Sequence, residues 1–254
     1  MPSANSGTTP VLVFDLDGTI LRCNSFPLWV LFLLKGRMRS LSLGQRARVS
    51  LRTARLLLSR KIFRLSHDEL QRRLQAASVD VDPADVDRFV ATLLPRARPA
   101  LRSLLNILAA EDADAVLATA AAVDYAEPLG QQLGFRHVLA TSRGRHMGER
   151  ANSGSAKREG VAGFFRAAGW SGRPFILFTD HVDDLPLMQD SVLVCWFGSL
   201  DMLAKARSIA GQTRFVDCRV MSGDGLRAMI LPLCNHAALR EDTAAHSRSE
   251  MTLS

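Results

Sequence analysis

The sequence predicts an α/β fold: a Rossmann-like parallel sheet with helices on both faces, carrying one inserted all-helical cap. Three observations predict it. From Ala97 onward, short apolar runs alternate with helical patterns and turn signals. Between Leu21 and Arg96 only helical signals occur, with no alternating strand pattern. The first apolar run, Val11-Leu12-Val13-Phe14, leads straight into Asp15-Leu16-Asp17-Gly18-Thr19. A buried strand seldom ends in two carboxylates unless those charges have partners, because an unpaired buried charge is costly.

The elements follow in chain order. Residues 1–10 are expected to form a disordered lead-in, being mostly small and polar. Residues 11–20 hold the first strand and its acidic loop, and with residues 97–235 they make up the expected core. Residues 21–96 form the expected cap. Within it, Ser66 and Glu69 have the spacing of a capping box. Asp82-Pro83-Ala84-Asp85 has an N-cap acid, proline at the first helical position and an acid in the first turn.

The cap helix expected around 46–65 carries two apolar stripes. Leu51, Ala54, Leu58, Ile62 and Leu65 lie on one face and are expected to pack within the insert. Val49, Leu56 and Phe63 form a narrower stripe bordered by arginines, with no evident internal partner.

Beyond the cap, a helix is expected over 98–110 and a short strand over 115–118 that ends at Thr119. A helix over 124–133 closes at Gly134, and a strand follows over 138–140. Lys157 opens a helix that closes at Gly169. A strand over 175–178 ends at Thr179-Asp180, and 192–196 is the next strand. A helix over 200–209 and a strand over 214–216 complete the pattern. Residues 236–254 are expected to be a disordered tail.

Composition narrows the function classes. Hydrophobic residues make up 47% and charged residues 22%, as in globular proteins. Cys23, Cys195, Cys218 and Cys234 show no paired spacing and read as reduced thiols of a cytoplasmic protein. The first ten residues lack a basic stretch followed by an apolar run, so no signal peptide is expected. The longest apolar run, residues 26–34, is too short to cross a bilayer as a helix.

Charge is distributed unevenly. Between Asp17 and Asp68 there is no acid, while 11 of the 32 lysines and arginines fall there. The rest of the chain holds 21 basic residues against 25 acidic ones. The protein is a mildly acidic body with a strongly basic insert. Such an insert is either a solvated surface or a site of peripheral contact with anionic membrane, since arginines there border an apolar stripe. Nucleic acid is not an expected partner, because aromatic side chains are not interleaved with the basic ones.

Ligands of such sheets bind at the carboxyl ends of the strands. Three strands end in chemistry there: Asp15 and Asp17, then Thr119, then Asp180, with Lys157 opening the preceding helix. Acids, one hydroxyl and one lysine on one rim suit Mg²⁺ and a phosphate. The cation takes carboxylate oxygens and keeps waters, while the lysine and hydroxyl take phosphoryl oxygens.

The ordered set Asp15-Leu16-Asp17-Gly18-Thr19, Thr119, Lys157 and Asp180-His181-Val182-Asp183-Asp184 resembles the four motifs of the haloacid dehalogenase superfamily. The helical insert looks like that superfamily's type-1 cap. The stretch from Leu117 to Lys157, including Pro128 to Phe135 and Met147-Gly148, is similar to the phosphoserine-phosphatase-like branch.

The resemblance implies roles. Asp15 would be the nucleophile, forming an aspartyl-phosphate, and Asp17 the general acid and base. Mg²⁺ would be held by Asp15, the backbone carbonyl of Asp17 and Asp180. Thr119 and Lys157 would bind phosphoryl oxygens, and Asp184 would either support the ligands from behind or hold a water on the metal. Dehalogenases lack an acid where Asp17 stands, so phosphatase or phosphotransfer chemistry is implied. The substrate is then a small-molecule or lipid-linked phosphomonoester. A phosphomutase, or a catalytically weak membrane-surface binding protein, is the alternative.

Four departures from the pattern occur: Thr179, His181, the pair Ala120-Ala121, and Asn24. Asn24 stands where phosphoserine phosphatases place a glutamate that pairs with the substrate ammonium. His181 could polarise substrate or be a loop histidine satisfied by hydrogen bonds, and Asp183 reads as solvated. Arg143, Arg145 and His146 read as surface charges. Trp29 could belong to the cap core or to a substrate pocket.

Overall fold

A computed structural model describes residues 9–35, 38–63, 81–142 and 152–234. Side chains are described as far as residue 55 in the helix that ends at Phe63. The expected disorder of residues 1–8 and 236–254, the Ser66–Glu69 capping box, Arg143, Arg145, His146 and Met147-Gly148 lie outside those residues. So do the side chains of Leu56, Leu58, Ile62, Phe63 and Leu65.

Six parallel strands form one sheet: β1 (Val11–Phe14), β2 (Ala115–Ala122), β3 (His137–Thr141), β4 (Phe175–Thr179), β5 (Leu193–Trp196) and β6 (Phe215–Asp217). Their spatial order is β3-β2-β1-β4-β5-β6. β1 is central, pairing with β2 and β4, and all four of its residues are fully buried. A parallel sheet is covered on both faces, which is why its strands read as continuous apolar runs.

Successive side chains divide between the two faces. Leu12, Phe14, Leu117, Ile176, Phe178 and Cys195 join one core. Val11, Val13, Val116, Leu177, Val194 and Trp196 join the other. The second core is closed by helices α6 (Gly154–Ala167), α7 (Leu185–Met188) and α8 (Leu200–Ile209). The first is closed by α4 (Pro99–Ala110), α5 (Val123–Gln132), α9 (Gly223–Cys234) and the insertion. α9 packs on α4, where Gly223 faces Ser103 and Ala100, and has no counterpart in the sequence expectations.

The helical insertion holds α1 (Ser25–Leu34), α2 (Leu43–Phe63) and α3 (Pro83–Leu93). The chain leaves and re-enters the core side by side, with Arg22 N donating to Arg96 O and Arg98 N to Ile20 O. α3 starts as expected, with the Asp82 side chain accepting from Ala84 N at 2.8 Å. Asp85, fully buried, accepts from Arg39 N and Ser40 N and pairs with Arg88, pinning the α1–α2 connection. Trp29 of α1 packs against Phe89 of α3 and Tyr125 of α5, so it belongs to the core that joins insertion and sheet.

Three expectations need correction. Val49, from the narrower stripe of α2, is the buried residue, while Leu51 from the broader stripe is half exposed. Periodicity finds two stripes but not which one meets a neighbour. Here Ser50 Oγ donates to Leu33 O of α1 and fixes the helix's rotation. β2 continues to Ala122 instead of ending at Thr119, with its register to β3 shifting between Ala118 and Ala122. Helix α6 starts at Gly154, so Lys157 lies within its first turn and does not open it.

Candidate active site

The chain runs outward from β1 to β2 and β3, then crosses back to β4 beside β1. The order therefore reverses between β1 and β4, which opens a crevice at their carboxyl ends. Asp15 follows β1 and its N–H donates to Phe178 O of β4 at 2.9 Å. Asp180 follows β4. Gly18 adopts a left-handed φ of +79°, and a Cβ there would lie 2.0 Å from Asp180 Oδ2. Only glycine lets the first loop approach that carboxylate so closely. Thr19 Oγ1 donates to Asp180 Oδ1 at 3.3 Å.

Lys157 is buried, and its Nζ donates to Asp15 Oδ1 at 2.8 Å and to Asp184 Oδ2 at 2.9 Å. Thr179 Oγ1 also donates to Asp184 Oδ2, at 2.7 Å. This accounts for threonine at a position where the motif usually has glycine: the hydroxyl satisfies a buried acid. Asp184 thereby holds the lysine whose ammonium meets Asp15.

Asp17 is held from α1. Ser25 N donates to its Oδ1 at 2.9 Å and Ser25 Oγ to its Oδ2 at 2.9 Å. Ser25 Oγ in turn lies 2.9 Å from Tyr125 Oη. Tyr125 is fully buried, and burial raises its hydroxyl well above the ordinary range, so it is a neutral phenol.

The electrostatics share one cause. Burial raises Asp15 to about 7, opposed by Lys157 and reinforced by Asp184 and Asp180. Burial raises Asp17 to about 6 against its hydrogen bonds from Ser25. Asp180 is raised as well, by burial first. Burial alone would lower Lys157, but Asp15 and Asp184 outweigh it and hold the ammonium charged. Among the described residues, carboxylates crowd this crevice around one lysine, so it has room for more positive charge.

Hard oxygen donors short of positive charge fit a divalent cation. Among the described residues no group of three or more His, Cys, Asp and Glu side chains forms a metal cluster. A cation here would draw on the carboxylates of Asp15 and Asp180 and complete its shell with main-chain oxygen and water. Mg²⁺, which keeps several waters, accepts such a set.

The crevice opens into a cavity of about 430 Å³. Asp15, Asp17, Lys157, Asp180 and Asp184 line it, together with Asn24, Phe26, Ala120, Ala121, Ser153, His181 and Asp183. Five of the six expected site residues therefore meet in one cavity. Thr119, the sixth, is buried within β2, where its Oγ1 accepts from Ala121 N at 3.0 Å. Ser153, Ser25 and Tyr125 escaped the sequence reading. Ser153 stands four residues before the lysine, at the start of α6. Asn24 caps α1 by accepting from Phe26 N. His181 Nδ1 accepts from Asp183 N at 3.2 Å while its ring borders the cavity.

A family model described as haloacid dehalogenase-like hydrolase matches residues 12–189. Curated protein sequences gave no match. Among solved structures, a Bordetella pertussis protein of unknown function aligns with a TM-score of 0.62 at 19% identity, over 83% of this chain and 99% of that one. A probable phosphoserine phosphatase from Vibrio cholerae aligns with a TM-score of 0.57 at 16% identity, over 92% and 67%. A phospho-aspartyl intermediate analogue of phosphoserine phosphatase aligns with a TM-score of 0.51 at 11% identity, over 88% and 99%. At these identities the likeness is one of fold.

Proposed function

Since the chain belongs to the haloacid dehalogenase-like hydrolases, we propose that it is a Mg²⁺-dependent phosphatase that hydrolyses a phosphomonoester through an aspartyl-phosphate on Asp15. One observation carries this reading. A lysine-held carboxylate, Asp15, shares its cavity with a second acid, Asp17, which burial shifts toward its protonated form.

Asp15 attacks phosphorus, and the bond from phosphorus to the ester oxygen breaks as Asp17 gives that oxygen a proton. Asp17, now ionised, takes a proton from water, whose oxygen attacks phosphorus while the bond from phosphorus to Asp15 breaks, releasing inorganic phosphate and the free Asp15 carboxylate. Lys157 orients Asp15 and meets a phosphoryl oxygen. Thr119 keeps its own hydroxyl proton to donate while accepting the Ala121 amide. Asp184 fixes Lys157. Asp15, Asp180 and the carbonyl of Asp17 would hold Mg²⁺, whose charge would offset repulsion between carboxylate and phosphate. Hydrolysis of an aryl phosphate with Mg²⁺, compared with Asp15→Asn, tests this. Equal rates in the two proteins would sink it.

For the substrate we favour an amphiphilic, lipid-linked phosphomonoester at an anionic membrane surface. Asn24 uses its side-chain oxygen to cap α1, and the insertion offers no acid before Asp68, so a substrate ammonium finds no partner there. Leu43 is 82% exposed and Leu51 51%, in an acid-free helix that also carries Arg46, Arg48, Arg52 and Arg55. Exposed leucines among arginines suit an anionic lipid interface. No helix among the described residues is long and apolar enough to cross a membrane. Flotation with anionic but not neutral liposomes is the expected result, and equal behaviour would return this surface to a solvated role.

A further inference from the structure

Asp17 is the group whose position decides whether a leaving oxygen receives its proton, and its carboxylate is held from outside its own loop. Both of its oxygens accept hydrogen bonds from one residue of the insertion, Ser25, through the amide and the hydroxyl. Ser25 is fully buried at the start of α1. A serine hydroxyl has one proton, and here it is directed to Asp17 Oδ2. Its remaining capacity is to accept, and Tyr125 Oη lies 2.9 Å away. With Asp17 ionised, the string therefore runs from Tyr125 to Ser25 to Asp17. Tyr125 belongs to α5, on the core side, and its ring packs against Trp29 and Phe89 of the insertion. The string spans three elements that are distant in the chain: the β1 loop, the first residue of α1 and the first turn of α5.

We propose that Ser25, backed by Tyr125, is a positioning residue that sets the Asp17 carboxyl for proton transfer to the leaving oxygen and ties its placement to the docking of the insertion on α5. The inference rests on the phosphatase reading above. Ser25 touches neither phosphorus nor the leaving oxygen in this scheme; it acts through Asp17. Removing its hydroxyl frees one carboxylate oxygen and lets the side chain rotate about χ1 and χ2, which disperses the geometry that proton transfer needs. The amide bond from Ser25 remains in any variant.

The experiment uses a series of aryl phosphates from good to poor leaving groups, with Mg²⁺ saturating. A phenolate of low pKa leaves without a proton, whereas a poor leaving group depends on Asp17. Ser25→Ala is expected to lower kcat by about 100-fold on the poorest leaving group and by less than about threefold on the best, with KM little changed. Tyr125→Phe is expected to tilt the series in the same direction by about 3–10-fold, and it covers the case in which Ser25→Ala fails to fold. Ser25→Thr keeps the hydroxyl and is expected to restore the unsubstituted slope. A uniform loss across the series, or a slope unchanged in both Ser25→Ala and Tyr125→Phe, overturns the inference and leaves the phosphatase reading intact. If the unsubstituted protein hydrolyses no member of the series, or Asp15→Asn matches it, the phosphatase reading itself fails and takes this inference with it.

Discussion

A Cβ on Gly198 would lie 1.9 Å from the Asp180 carbonyl oxygen, so the loop after β5 presses directly against the main chain that presents Asp180. The opposing contact is fixed backbone, which cannot rotate aside as a side-chain end can. Gly198 and Gly18 approach Asp180 from two different loops, and both approaches need a residue without a side chain.

Gly198→Ala must therefore displace Asp180. Overpacking of this kind costs about 1–3 kcal/mol. The expected signature is a drop in Mg²⁺ affinity larger than the change in aryl phosphate KM, read by Mg²⁺ titration of both thermal stability and activity. Unchanged Mg²⁺ dependence would show that Asp180 had not moved.

Lys157→Met preserves length but leaves Asp15 and Asp184 buried without their common cation. Breaking a buried ion pair from one side costs roughly 3–5 kcal/mol. Urea unfolding of the metal-free protein should show that loss, and turnover should fall to background. Lys157→Arg is not expected to rescue either property, because a planar fork does not fit a site built around one ammonium.

For Asp17 the direction of the pH effect follows from its value of about 6 against an ordinary 3.8. A raised carboxyl binds its proton more tightly in the folded chain. Its contribution to stability is present below pH 3.8 and is lost as pH rises through about 6. Metal-free protein should lose melting temperature between pH 4 and 7 more steeply than Asp17→Asn. Identical slopes for the two proteins would remove Asp17 as the source.

Val49 and Leu51 separate the two faces of α2. Val49→Ala is expected to cost about 1–3 kcal/mol, because the side chain is buried. Leu51→Ala should change stability by less than about 0.5 kcal/mol. Leu51→Asp should weaken flotation with anionic liposomes without lowering the melting temperature. Loss of stability in both substitutions would place Leu51 in a contact instead.

Asn24→Ala removes the cap of α1 and is expected to cost about 1 kcal/mol with little change in KM, whereas Asn24→Asp keeps the cap. A large rise in KM for Asn24→Ala would assign the side chain to substrate instead.

Much of this molecule was legible before any coordinates. The apolar runs identify the strands, because a parallel sheet covered on both faces admits almost nothing else. Asp82 and Gly134 mark helix ends through local chemistry, the first by its side-chain bond to Ala84 N and the second by its left-handed φ of +92°. The ordered acids and the lysine could be read because each stands where a strand or helix delivers it to one cavity, whereas Thr119 stays buried within β2.

Other features depend on contacts between residues far apart in the chain. Which stripe of α2 turns inward is decided by α1, whose Leu33 carbonyl receives the Ser50 hydroxyl. Thr179 departs from the motif, and its reason is Asp184, which accepts the threonine hydroxyl. Ser25 and Tyr125 are 100 positions apart, and neither carries a local pattern that would single it out. The sequence by itself determined the sheet, the insertion and the acids and lysine that line one cavity, since period, capping and charge are encoded locally. Only the tertiary structure decided which neighbour each of those charges meets, because a hydrogen bond across the fold depends on packing that no single segment contains.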